Sequence, residues 1–328
     1  MELGKVRLSA MVVFTTALGY IVASKMNFPE PIDWLRLFFT CLGTLLAAVG
    51  ASSWNQAIEA RRDARMYRTR NRPLPAGVFS RTYAATFGLC VCITGVAILC
   101  PTSNGLTAIL GTVNILLYAI VYTPLKPIST TNTLVGAIVG GIPPMMGWTA
   151  ATGTLSAGAW VLGAILFVWQ IPHFLALSWM YREDYARGGF KMLPAIDPSG
   201  RLTAMLALLY AILLVPLNLL LVQLGHAGFT FAIISLALAG GLIACAIRFS
   251  KTHANSDARR LFLASIIYLP LLTVTLMITS RGPFTHLELG PAGYVSPPTE
   301  PFIEPSSTDL DVITPSQAAP TNQPAIKP

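Results

Sequence analysis

Residues 127–181 read PISTTNTLVGAIVGGIPPMMGWTAATGTLSAGAWVLGAILFVWQIPHFLALSWMY, without a single Asp, Glu, Lys or Arg. One bilayer crossing takes about 20 apolar residues, so this stretch suits two. The small and polar residues at 151–156 supply the turn between them. Working outward, further charge-free stretches run 8–24, 37–58, 82–125, 202–247 and 261–280. The long ones divide at residues 101–105 and 225–228, where Pro, Asn and Gly cluster. Predicted spans then fall at 8–25, 34–56, 81–100, 105–122, 132–150, 157–180, 202–224, 228–247 and 261–280.

Composition agrees with that reading. Of 328 residues, 54% are hydrophobic and 11% charged, where a soluble domain carries about 25% charged. A soluble enzyme and a single-anchor protein are excluded. An outer-membrane barrel would alternate in shorter segments. The expected class is an all-α polytopic membrane protein with about nine transmembrane helices.

The net charge of +8 does not point to nucleic acid, because the basic residues lie between spans. With the N-terminus cytoplasmic, 18 of the 22 basic residues fall on the inner side, and only Lys25, Arg36, Arg281 and Lys327 fall outside. That bias sets the orientation and puts the C-terminus outside the cytoplasm. Absence of a transit peptide favours a bacterial inner membrane, and Lys5 and Arg7 are read as the charged start of the first span. Cys41, Cys90, Cys92, Cys100 and Cys245 show no CxxC and no zinc spacing, so they read as small buried hydrophobes. Residues 1–288 form the membrane domain. Residues 289–328, with nine prolines, read as a disordered extracytoplasmic tail.

Two inner loops carry chemistry. Asn55, Glu59 and Asp63 are spaced i, i+4, i+8; if the second helix persists, they share one face. Oxygen ligands on such a stripe suit Mg²⁺, which uses one or two carboxylates and completes its shell with water and phosphate oxygens. Arg68 and Arg72 repeat the spacing and suit phosphate forks. The second loop carries Glu183 and Asp184 as further metal candidates, with Arg187 and Lys191 adding charge. Lys126 follows Tyr122-Thr123-Pro124-Leu125 as another phosphate candidate. His173 lies inside a span beside Pro172, where an ionisable group is costly and marks a functional site; a histidine that only bridges helices is the competing reading.

Asn-x3-Glu-x3-Asp at 55–63, followed by Met66-x-Arg68-Thr69-x-x-Arg72-Pro73-Leu74-Pro75, resembles the first acidic motif of the UbiA superfamily of intramembrane prenyltransferases. The wording resembles that of the branch that farnesylates protoheme IX. Residues 122–148, through Gly136, Pro143 and Trp148, are similar to that branch, as are 169–194 with Trp169, His173 and Asp184-Tyr185. The resemblance implies nine helices around a central cavity, Mg²⁺ as cofactor, and farnesyl diphosphate and heme B as substrates. It implies Asn55, Glu59, Asp63 and Asp184 around the metal, and Arg68, Arg72, Lys126 and Lys191 on the diphosphate. Tyr122, Trp148 and Trp169 would line the heme or prenyl pocket, and His173 would ligate iron or manage a water proton. Heme A synthase and a terminal oxidase are the candidate partners.

Glu59 stands where many members carry Asp, and Pro127 where a second cation is usual. The second motif lacks the Asp-x3-Asp of quinone-prenylating relatives. Competing readings are such a relative, a transporter, and a heme-binding sensor. A transporter predicts a path open to both sides, whereas here acids and cations gather on one.

Overall fold

Nine helices long and apolar enough to cross a bilayer occur among the described residues of this computed structural model, which describes residues 5–28 and 31–280. They are α1 (Val6–Asn27), α2 (Trp34–Asp63), α3 (Arg81–Thr102), α4 (Gly105–Leu116), α5 (Asn132–Thr152), α6 (Ala157–Met180), α7 (Arg201–Gln223), α8 (Phe229–Thr252) and α9 (Asn255–Thr279). Helix α4 continues through a π-helical segment, Leu117–Tyr122, into a last turn, Thr123–Leu125. Two short helices, Arg182–Arg187 and Leu193–Ile196, sit between α6 and α7. The tail at 289–328 lies outside the described residues.

Helix is what a charge-poor chain must form in lipid, since every backbone N–H and C=O needs an internal partner there. Neighbours in sequence pack as neighbours in space: α2 on α3, α5 on α6, then α6 to α7, α7 to α8 and α8 to α9. Helix α1 closes against α5 and α2, and α9 returns to α6. Lipid gives little hydrophobic drive for this packing, so close contact carries it. At the α2–α3 crossing, a Cβ on Gly50 would lie 2.5 Å from the Gly88 carbonyl oxygen, and one on Gly95 would lie 2.7 Å from that of Gly43. Only glycine allows those backbones to approach so closely.

The second helix persists beyond its predicted bilayer span, as the spacing of Asn55, Glu59 and Asp63 requires: α2 runs to Asp63, and its 30 residues span about 45 Å, against roughly 30 Å of hydrocarbon. The surplus turns carry the acidic stripe beyond the bilayer core. One sequence expectation of the fold needs correction: the inner loop at 248–260 is instead helix on both sides of a two-residue link, His253 and Ala254. Its charges sit on helix ends, where Asp257 pairs with Arg248 at 2.9 Å and Arg260 at 2.7 Å.

Candidate active site

Asn55, Glu59 and Asp63 lie on one face of α2 and are 0%, 4% and 1% exposed, too buried for a solvated helix end. The last turns of α4 face them. The π-helical i→i+5 turn, with Thr123 Oγ1 donating to the Tyr118 carbonyl at 2.8 Å, stacks Tyr118 on Tyr122 with centroids 5.5 Å apart. Such widened turns recur at functional sites. Lys126 follows directly, its Nζ 2.9 Å from Glu59 Oε1 and 4.4 Å from the Tyr122 ring centroid. Burial works against the Lys126 ammonium, but Glu59, Tyr122 and Tyr118 more than compensate and raise its pKa above the usual lysine value. It is therefore a permanent cation.

Helix α2 ends at Asp63, and the chain from 64 to 79 proceeds in turns, so the spacing of Arg68 and Arg72 is not helical. Arg72 folds back to donate from Nη1 to Asp63 Oδ2 at 2.7 Å. Arg68 lies over the rings of Tyr181 and Tyr185, at 5.4 and 5.7 Å. Asp184 accounts for its placement. The Asp184 carboxylate accepts the backbone N–H of Tyr67 at 2.8 Å and of Arg68 at 3.2 Å, and the Arg187 side chain at 2.7 Å. Burial raises the Asp184 pKa, but these donors outweigh it and hold it below the usual carboxylate range.

One cavity of about 710 Å³ joins these groups to the membrane interior. Its charged end is lined by Lys5, Glu59, Asp63, Arg68, Arg72 and Lys126. Beyond it, the lining contributed by α2 and α4 is small or aliphatic, among it Ala47, Ala48, Ala51, Gly111 and Ile115. The lining contributed by α6 and α9 is aromatic and amide-bearing: Trp169, Gln170, His173, Phe174 and Phe262. Gly136 faces the Tyr122 ring, where a Cβ would come within 2.8 Å.

The expected residues therefore divide. Glu59, Asp63, Arg68, Arg72, Lys126, Tyr122, Trp169 and His173 all line the cavity. Asn55 stands just behind, donating to Thr123 Oγ1 at 3.0 Å and accepting from Lys5 Nζ. Asp184 and Glu183 line a separate recess on the outer face of the loops, because Asp184 is spent on the Tyr67–Arg68 backbone. Lys191 is exposed; its backbone, not its ammonium, ties the loops, by donating to the Lys126 carbonyl at 2.8 Å. Trp148 is not a pocket residue either. It lies two residues past Met146, on nearly the opposite side of the helix, packed over Gly158 and edge-on to His226 at 5.5 Å.

Sequence reasoning missed three groups. Lys5, in sequence only the charged start of the first span, reaches the acidic stripe at Asn55; burial and the nearby Lys126 lower its pKa to about 7. Tyr118 and Gln170 also face the cavity. The i, i+3 spacing of Gln170 and His173, and the i, i+4 spacing of Tyr118 and Tyr122, are the signals that were available.

The chemistry of the donors fits Mg²⁺. Asp63 Oδ1 is buried with no hydrogen-bond partner, and Glu59 lines the same cavity. No group of three His, Cys, Asp or Glu side chains converges among the described residues, which disfavours an all-protein cage. Mg²⁺ needs none, as it is held by one or two carboxylates with substrate phosphate and water.

The UbiA prenyltransferase family model matches residues 12–267. The chain belongs to the UbiA prenyltransferase family. Among family relatives, the mitochondrial protoheme IX farnesyltransferase of Homo sapiens is 45% identical over 290 residues, covering 88% of this chain and 64% of that protein. The chain thus spans under two thirds of the human relative's length. The protoheme IX farnesyltransferase of Solibacter usitatus is 37% identical over 286 residues, covering 86% of this chain and 98% of its own. A solved UbiA homolog from Archaeoglobus fulgidus, bound to GPP and Mg²⁺, shares the fold with a TM-score of 0.55 at 11% identity, covering 85% of this chain and 99% of that one. Membership agrees with the fold and with the one-sided gathering of charge, and establishes a multi-pass prenyltransferase fold.

Proposed function

We propose that the protein transfers the farnesyl group of farnesyl diphosphate to a vinyl group of heme B, giving heme O and diphosphate for heme–copper oxidase assembly. One observation carries this reading: a single cavity joins a buried acid–cation cluster to an aromatic, histidine-bearing wall. The first part suits a departing diphosphate and the second a flat porphyrin. The names of the relatives point to the same donor and acceptor.

Arg68, Arg72 and Lys126 bind the diphosphate, and Glu59 and Asp63 are the residues that would hold Mg²⁺, which would supply neutralisation of the leaving charge. The allylic C–O bond breaks with its electron pair going to the diphosphate. The faces of Tyr122 and Tyr118 stabilise the delocalised cation. The vinyl π pair forms the new C–C bond, leaving a cation on the carbon next to the porphyrin ring. Water adds there and loses a proton, giving a hydroxyethylfarnesyl substituent. Apolar walls keep water from the first cation until the acceptor is seated. The Lys/Arg bias supports motif loops on the cytoplasmic side, and the bacterial relative matched over nearly its whole length supports an inner-membrane setting. Heme A synthase or a terminal oxidase would receive the product.

The test is an acceptor competition. Purified protein receives farnesyl diphosphate, Mg²⁺, heme B and an equimolar 4-hydroxybenzoate-type quinone precursor, and products are read by mass spectrometry. Farnesylated heme alone is expected; prenylation of the quinone precursor with heme unchanged sinks the reading.

A further inference from the structure

The geometry points to His173 as the axial ligand of the acceptor's iron through Nε2, with Ser265 as the positioning residue that fixes its tautomer. This inference rests on heme as the acceptor and goes beyond it.

A hydroxyl has one proton to give. Ser265 Oγ donates it to the Phe262 carbonyl at 2.6 Å, so toward His173 the same oxygen acts as an acceptor. The His173 Nδ1···Ser265 Oγ contact of 2.9 Å therefore places the proton on Nδ1. In the neutral ring that leaves the lone pair on Nε2. Ser265 is itself anchored, since its carbonyl accepts Trp169 Nε1–H at 2.8 Å. The imidazole is held between two rings, with Trp169 at 5.2 Å and 23°, and Phe262 at 4.7 Å and 28°. Its plane and tautomer are thus fixed before any ligand arrives, and His173 lines the cavity. A histidine that merely bridged helices would not need a free nitrogen on a cavity wall.

The competing role is that of base for the water proton. That role creates an imidazolium on an apolar wall, beside a developing carbocation. The groups packed on the ring are the Trp169 and Phe262 rings and the Ser265 hydroxyl, none of which carries a charge that would offset the new one. Ligation by the neutral ring creates no charge. Metal-bound histidines usually donate their second N–H to a nearby oxygen, and loss of that partner costs roughly 10- to 100-fold in metal affinity.

The full-length protein in detergent is titrated with ferric heme B and followed by Soret absorption and magnetic circular dichroism, with farnesylated heme measured in parallel. Wild type is expected to show an imidazole-ligated spectrum. His173→Ala should lose it and regain it with added imidazole, which separates loss of the ligand from loss of the fold. Ser265→Ala should bind heme B about tenfold more weakly, and Ser265→Thr should restore the affinity. Iron-free protoporphyrin IX should bind wild type no better than heme B binds His173→Ala. If His173→Ala keeps the wild-type spectrum while still farnesylating heme, the ligand assignment is wrong and heme remains the acceptor. If wild type neither binds nor farnesylates heme, the acceptor reading falls and takes this inference with it.

Discussion

Arg72 turns back across nine residues to donate from Nη1 to Asp63 Oδ2 at 2.7 Å, which leaves Asp63 Oδ1 as a buried carboxylate oxygen without a partner. One oxygen is neutralised by the protein, and the other is the one that would hold Mg²⁺ in the proposed reaction. Removing either residue disables the same unit. Asp63→Asn and Arg72→Ala should each lower kcat/KM for farnesyl transfer by about 100-fold or more, the scale on which one preorganised charge contact acts. The double variant should be little worse than either single one. Fully multiplicative losses would show that the two residues act independently.

The Glu59–Lys126 pair is tested through stability. At 2.9 Å, with both side chains largely buried, loss of one partner strands the other. Lys126→Met should destabilise the protein by about 3 kcal/mol, read as a lower midpoint of thermal unfolding in detergent. Glu59→Met combined with Lys126→Met should recover most of that loss while remaining inactive. A double variant as unstable as the single one contradicts the pairing.

Gly136→Ala adds a methyl where a Cβ comes within 2.8 Å of the Tyr122 ring. The ring must move into the cavity. The expected outcome is a raised KM for farnesyl diphosphate with the unfolding midpoint changed little, measured on the same preparation. An unchanged KM would place the donor away from Tyr122.

Trp148 offers the opposite contrast. Buried at 1% exposure beneath Gly158 and away from the cavity, it should affect folding and not chemistry. Trp148→Phe should lower the unfolding midpoint yet keep kcat/KM within about threefold, because only packing is lost.

Asp184 sets a pH dependence. Its pKa lies below the ordinary value of 3.8 in the folded protein, so its stabilisation is complete above that value and fades as pH falls through the lowered folded pKa. Backbone amides of Tyr67 and Arg68, which it accepts, should keep constant protection factors between pH 7 and 5. They should lose protection only below about 4. Asp184→Asn should show the exposed amides at every pH, by hydrogen–deuterium exchange.

The parts of the site that could be read in the sequence are those placed by a single helix. Asn55, Glu59 and Asp63 share a face because α2 is continuous, and their spacing already states that geometry. The spans are legible because lipid forbids charge over long stretches, and only the helix ends at His253–Ala254 differ from the expected loop. What could not be read depends on packing between distant segments. Lys5 meets Asn55 across 50 residues, and His173 meets Ser265 across 92. Trp148 and Lys191 were misplaced for a related reason. A motif shows that a residue is near the site, but the face of the helix, or the choice between side chain and backbone, decides what it touches.

The most direct test of the account is the mass of heme extracted after incubating the protein with heme B, farnesyl diphosphate and Mg²⁺, with Asp63→Ala run alongside. The account predicts heme enlarged by one farnesyl group and one hydroxyl group in wild type, and unmodified heme B in the variant. Unmodified heme B from a folded wild-type protein, or farnesylated heme from Asp63→Ala at the wild-type rate, would contradict it.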